Sequence, residues 1–576
     1  MKSNFARMKK LLALCFYGKS KTIIILIVLV IIHTSIVSIL PFLFGYIIDA
    51  LVNSKWESMK YLLIIHLLLS LFSIILNTIR NTIQSLFIAS TRNALKSKIF
   101  SSIISMPKKS QDSYSYGELI NRLENDADII VSFFVETLTN VLTTLFSLVY
   151  SIVFIFSISK SLSAFAVGYA PLMLTIALVS NRILRTIFQA EKKYDDSYFG
   201  FLSEAFAGLS TIKTFVLENK FVKKVAAWYE INISIIKKKV VTENSFSLLQ
   251  GSMNSIFDFL LILAAMNLIK SGNLTIGLFV SFNQYLEMFF SSLFQTLGYV
   301  SNFNYVMVSI DRVVVLMNEA DEFLNRCTFN KKIINIESQI ENSIKIEELS
   351  FGYNKICILK GLSLSINSPG LYTIVGENGA GKSTILSLLN GLYSFTQGLI
   401  EVNNINLKEW DLYTLRNEVL FLQKDTFFLN ESILDNFFLF DEHFDLDGIK
   451  DACKQVEVHD LIISLAEEYN SLMGNKGDNF SSGEKQRLNF ARILNKDYSI
   501  LLLDEITSDI DGKSEKKVVD IIQKIAKEKI VLSVSHKIEF IKQSKMIFVL
   551  KDGVIIDAGT HPELVKRNKS YHALFQ

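Results

Sequence analysis

Cysteine is scarce and never paired: four occur in 576 residues, Cys15, Cys327, Cys357 and Cys453, with no CxxC spacing among them. That excludes a disulfide framework or a cysteine zinc site as the organising principle, and it fits thiols that face cytosol or pack in a core. Charge is also in short supply. Charged residues make up 20% of the chain and the net charge is +3, too small a surplus to imply nucleic acid as a partner. Half of the residues are hydrophobic and the mean hydropathy is positive. A soluble domain cannot conceal that much apolar surface, so part of the chain belongs in lipid, and the length calls for at least two domains. The basic start "MKSNFARMKKLLALC" lacks a small-residue cleavage pattern before a run of full spanning length, so it reads as leading into an uncleaved first span.

What is present is unevenly placed. Six long apolar runs, near 22–48, 60–88, 131–156, 162–183, 246–269 and 276–300, precede residue 325, and no run of spanning length follows it. Each reaches or exceeds the roughly 20 residues that cross a hydrocarbon core. The connections after the first, third and fifth runs are short, whereas those after the second and fourth are long and basic, with "RNALKSKIF" and "KFVKKV". The positive-inside rule therefore puts the N-terminus, the long connections and the soluble half in the cytoplasm, beneath the cell (inner) membrane. Helical periodicity persists through the long connections, so the spanning helices are expected to extend well beyond the bilayer. The expected fold is a six-helix all-α transmembrane domain over 1–325, a linker over 326–342 and an α/β P-loop ATPase domain over 343–576.

In the soluble half "LYTIVGENGAGKSTILSLLNGL" (371–392) runs from a β-rich segment through a glycine loop into a helical pattern. The loop Gly376-Glu377-Asn378-Gly379-Ala380-Gly381-Lys382-Ser383-Thr384 has the P-loop spacing and context. Backbone N–H groups would wrap the phosphates of ATP, Lys382 would neutralise them, and the Ser383 hydroxyl would take Mg²⁺. "YSILLLDEITSDID" (498–511) is an apolar strand ending in two carboxylates. Asp504 suits Mg²⁺ coordination through water, and Glu505 suits polarising the attacking water. "IVLSVSH" (530–536) is another apolar strand, and it ends in His536. A lone histidine is usually structural; a third strand end aimed at the same phosphates favours a functional one.

These stretches resemble the ABC exporter family in its half-transporter form, over nearly the whole chain. The resemblance implies that Tyr353 stacks on adenine and that Gln423 joins Mg²⁺ to the membrane domain. It also implies that 116–128 and 204–221 couple that domain to the ATPase. The family's signature loop, usually LSGGQ, is here Phe480-Ser481-Ser482-Gly483-Glu484. By resemblance it caps the nucleotide of the opposite subunit: Ser481 and Gly483 keep the γ-phosphate contacts, Ser482 adds a small polar side chain, and Glu484 adds a charge. "LMGNKGD" places Asn475 where the family commonly has glutamate, which bears on transport coupling rather than chemistry.

One P-loop and one signature per chain imply a dimer, expected to be a homodimer, with a heterodimer of related halves as the alternative. The expected activity is ATP-driven export of a hydrophobic or amphipathic cargo, an antimicrobial peptide or a drug. A lipid flippase, an importer of exporter fold and a non-pumping ATP-gated channel or regulator are the rivals. Asp258 and Glu287, inside the last two runs, are expected to face a wet cavity or to be protonated structural groups. Phe279, Phe282, Tyr285, Phe289, Phe290 and Phe294 are expected either to line that cavity or simply to pack.

Overall fold

The computed structural model describes residues 19–328, 342–353, 356–424, 426–441, 444–506 and 512–573, together with Phe16. The expected linker therefore lies almost wholly outside the described residues. The chain divides into two units: residues 1–104 with 115–318, and residues 105–114 with 319–576.

The first unit is helical. Its long helices are α1 (Ser20–Val52), α2 (Trp56–Ser105), α3 (Ala127–Ile158), α4 (Lys160–Ala207), α5 (Glu218–Lys270) and α6 (Ile276–Thr328), the last running on into the second unit. At 1.5 Å per residue, the 50 residues of α2 span about 75 Å, far more than a hydrocarbon core. Among the described residues, five helices are long and apolar enough to cross a membrane. The sixth expected span falls in α6, where Asn283, Gln284 and Glu287 interrupt the apolar run and leave it more polar than the others.

α1 and α6 cross closely because both present glycine at the contact. A Cβ on Gly277 would lie 1.9 Å from the Gly45 carbonyl oxygen. The contact is fastened by polar groups: Asp49 accepts from Thr275 Oγ1 at 2.6 Å and from the Gly277 N–H at 2.8 Å. Ser281 Oγ donates to the Pro41 carbonyl at 2.8 Å, and Tyr285 Oη to that of Ser38 at 2.6 Å. Phe282 and Tyr285 are fully buried, Tyr285 stacking on Phe154 at 4.7 Å, so these two of the six aromatic residues pack rather than line a cavity. Asp258 and Glu287 are exposed on the single chain.

The segment 116–128 forms a short helix, Tyr116–Asn121, and a π-helical turn, Arg122–Asp126, leading into α3. It groups with the membrane unit. The stretch just ahead of it, Ser105–Tyr114, is the one that groups with the second unit.

The second unit contains two sheets. The smaller is antiparallel in the order β2-β1-β4-β5, with β1 Ile344–Tyr353, β2 Ile356–Ile366, β4 Gln397–Val402 and β5 Ile405–Asn406. The larger has the order β10-β9-β3-β8-β7-β6, with β3 Gly370–Gly376, β6 Val419–Leu422, β7 Ile500–Asp504, β8 Ile530–Val534, β9 Met546–Lys551 and β10 Val554–Gly559. All its neighbours are parallel except β9 and β10. β3, β7 and β8 are almost entirely buried, which is why they read as continuous apolar runs. Chain order reverses at β3, and ligands of such sheets bind beyond the carboxyl ends of the strands at that reversal.

Candidate functional site

Four parallel strands bring their carboxyl ends to one edge: β3 ends at Gly376, β6 just before Gln423, β7 at Asp504 and β8 just before Ser535 and His536. The strand ends at Leu422, Asp504 and Val534 thus come to the same sheet edge as the start of the glycine loop at 376–384.

The loop requires its glycines. Gly381 has φ of +105°, a conformation that side chains with a Cβ rarely adopt, and a Cβ on Gly376 would lie 2.2 Å from the Leu550 carbonyl oxygen. Gly381 leads into helix α7 (Lys382–Leu389), whose N-terminus faces the loop. The Lys382 ammonium is buried and donates to the carbonyls of Gly376 at 2.8 Å and Glu377 at 3.0 Å, so it is curled inside its own loop. Burial pulls it below the ordinary lysine range, opposed by Glu505 and Asp504. A cavity of about 230 Å³ adjoins the loop, lined by Glu377, Asn378, Gly379 and Ala380 and, opposite, by Lys360 and Lys551.

Ser383 Oγ donates to Asp504 Oδ1 at 3.0 Å. Burial raises the Asp504 carboxyl, and this hydrogen bond works against the rise. A hydroxyl and a half-buried carboxylate converging beside a phosphate loop form an oxygen donor set suited to Mg²⁺, a cation that keeps several waters and takes few protein ligands. Glu505 follows with φ of +50°, a left-handed backbone uncommon outside glycine, held by its N–H donating to the Val534 carbonyl at 3.0 Å. Its Oε1 lies 3.3 Å from His536 Nε2, and its Oε2 accepts from Lys424 Nζ at 3.1 Å. His536 is lowered from its ordinary value by burial first and Lys382 second, so its imidazole is neutral at pH 7.

Gln423 is exposed at the end of β6 and, among the described residues, makes no hydrogen bond into this cluster; its neighbour Lys424 does. Sequence reasoning passed over Lys424, although a lysine directly after a residue assigned to Mg²⁺ was a visible signal. Tyr353 sits at the end of β1, edge-on to Phe351 at 5.1 Å and to Tyr393 at 5.2 Å, its hydroxyl 3.4 Å from Thr384 Oγ1. It stands beside the P-loop helix, where a base could stack on it. Tyr393 was likewise missed.

The odd signature loop has a local explanation. Ser481 is the N-cap of helix α8 (Ser482–Leu494). Its Oγ accepts from the Glu484 N–H at 3.3 Å, while Glu484 Oε2 accepts from the Ser481 N–H at 2.8 Å. This is a capping box, in which glutamate and glutamine serve alike and a carboxylate also suits the positive end of the helix. The S-x-x-E spacing carried that signal. Ser482 is exposed at the first helical position.

A phosphate loop, an oxygen donor pair and a carboxylate–histidine pair at one sheet edge, in a chain whose other half is long apolar helices, define an ATP-hydrolysing transporter. Comparison with known proteins agrees. Residues 23–293 match the family described as ABC transporter transmembrane region, and residues 359–508 match the family described as ABC transporter. The chain belongs to the ABC transporter family. It is 26% identical over 568 residues to a protein of Bacillus subtilis (strain 168) named for multidrug export as an ATP-binding/permease protein, with 96% of each chain covered. A protein of the same designation from Staphylococcus aureus (strain NCTC 8325 / PS 47) is 27% identical over 564 residues, covering 95% of this chain and 96% of that one. Among solved structures, a bacterial Atm1-family ABC exporter with ATP bound has a similar fold, with a TM-score of 0.81 at 22% identity and coverage of 96% and 98%.

Proposed function

We propose that the chain works as a dimer that exports an amphipathic cargo from the cytoplasm or inner leaflet at the expense of ATP. The observation that carries this is the meeting of Ser383–Asp504 with Glu505–His536 at the carboxyl edge of the sheet, next to the P-loop. In this reading Tyr353 stacks on adenine, the N–H groups of 376–384 and the Lys382 ammonium hold the phosphates, and Ser383, Asp504 and Gln423 hold Mg²⁺. Mg²⁺ would supply charge neutralisation at the β- and γ-phosphates. Glu505 takes the proton of the attacking water, and His536 orients Glu505. Ser481, Ser482, Gly483 and Glu484 of one chain close the site of the other.

The intact capping box supports a competent homodimer, because the substitution at 484 preserves the loop's own hydrogen bonds. The basic connections support a cytoplasmic ATPase domain. The relatives' multidrug designations favour small amphipathic drugs over peptides, and exposed Asp258 and Glu287 favour cationic ones. The test is ATPase activity and vesicle transport of the purified chain in lipid, with a cationic dye, a bacteriocin-like peptide and a lipid compared. Stimulation and transport with the dye support the reading. A dimer that binds ATP without turnover, rescued by Ser482→Gly with Glu484→Gln, would replace the homodimer with a heterodimer.

A further inference from the structure

The Glu505 carboxylate has both oxygens engaged: Oε1 faces His536 Nε2 at 3.3 Å, and Oε2 accepts from Lys424 Nζ at 3.1 Å. A base that must receive a proton from water works poorly while an ammonium holds one of its oxygens. Lys424 is half exposed, on a flexible four-carbon stem in the turn one residue past Gln423, so its head can move without disturbing β6. It also acts electrostatically on Asp504 and His536, so it sits among all three strand-end groups. The Glu505 backbone, by contrast, is fixed by its bond to Val534. Of the two partners, the lysine is the one able to let go.

We infer that Lys424 is a positioning residue that latches Glu505 in a paired, unreactive state, and that it leaves the carboxylate when nucleotide phosphates offer the ammonium a more highly charged partner. This rests on the reading of Glu505 as the base. The latch makes the base available only when nucleotide is present, so engagement of the substrate and arming of the site become one event. The ammonium needs only to swing from one anion to another a few ångströms away; no bond is made or broken.

The test has a readout that needs no turnover. Reductive methylation of Lys424, followed by mass spectrometry on the full-length chain in lipid, is compared between the wild type and Glu505→Gln without nucleotide. A protonated amine held by a carboxylate reacts slowly, so Glu505→Gln should speed labelling by about threefold or more. Adding a non-hydrolysable ATP analogue should keep labelling slow in the wild type, where one anion replaces another, and slow it in Glu505→Gln, where the phosphates take the place of the missing carboxylate; no slowing in Glu505→Gln overturns the transfer to phosphate. Equal labelling of the two proteins without nucleotide overturns the latch whatever the protein transports.

Discussion

The Tyr393 hydroxyl donates to Asp112 Oδ2 at 2.6 Å, joining residues 281 positions apart in the chain. Tyr393 is the ring edge-on to Tyr353, and Asp112 closes the short helix Lys108–Gln111, where Lys108 Nζ also holds it at 3.0 Å. Burial alone would raise the Asp112 carboxyl, but the Tyr393 hydrogen bond and Lys108 outweigh it and hold the group below the usual carboxylate range. The tie therefore persists at mildly acidic pH and is lost only as pH falls through that lowered value. Tyr393→Phe keeps the ring packing and removes the tie. ATP affinity should change by no more than about twofold, while stimulation of the ATPase by cargo falls, as measured by nucleotide binding and by ATPase titration with a cationic dye.

Glu505→Gln should lower turnover by about 100-fold or more, the usual share of a positioned base, while leaving ATP affinity within a few-fold of wild type. The separation follows because, in the proposed reading, the loop and Lys382 hold the phosphates and Glu505 acts on the water. Single-turnover ATPase and equilibrium ATP binding on the same preparation check it.

His536 carries a pH signature whose sign is fixed by its lowered value. As pH falls below about 6.5, the unfolded chain takes up the proton before the folded one. The stability contributed by neutral His536 is thus fully present above that pH and is lost as pH falls toward the folded value. Activity resting on the neutral ring should decline at a lower pH than an ordinary histidine would set. His536→Gln, which cannot gain the charge, should lower kcat and remove that acid limb; a kcat–pH profile of both proteins decides it.

Arg492 in α8 is completely buried, donating to the Phe427 carbonyl at 2.8 Å and to Asn436 Oδ1 at 3.1 Å, with its guanidinium 3.9 Å and 4.4 Å from the Phe428 and Phe440 ring centres. Lysine cannot span both acceptors or stack as a plane. Arg492→Lys should destabilise the ATPase domain by about 2–4 kcal/mol, read as a lowered Tm of the full chain by scanning fluorimetry.

Glu484→Gln should leave basal ATPase within about twofold of wild type, because the amide oxygen can accept from the Ser481 N–H as the carboxylate does. Ser481→Ala removes the cap and should cost about 1 kcal/mol of local stability along with most turnover, measured by Tm and ATPase together.

Much of this was legible in the sequence because its signals are local. Apolar runs of spanning length became α1 to α5, and the apolar strands ending in Asp504, Glu505 and His536 became β7 and β8, with those groups beside the P-loop. The α6 span is weaker in apolar character because its polar residues interrupt the run. What stayed hidden depends on pairing between distant segments. Nothing near Lys424 announces Glu505, 81 residues on, and nothing near Asp112 announces Tyr393. The burial of Phe282 and Tyr285 depended in the same way on α1 supplying Ser38 and the close glycine crossing.

The grouping of Ser105–Tyr114 with the ATPase unit has a practical edge. A soluble fragment begun at residue 343 would carry every phosphate-binding group yet leave the Tyr393 hydroxyl bonded to water, its carboxylate partner cut away with the membrane half. The Tyr353–Tyr393 aromatic pair would then be released from its tether. Nucleotide affinities measured on such an excised domain should stay close to those of the full chain, while its response to anything transmitted through residues 105–114 would be lost. A fragment with residues 105–114 grafted back through a short linker would regain the carboxylate that Tyr393 bonds.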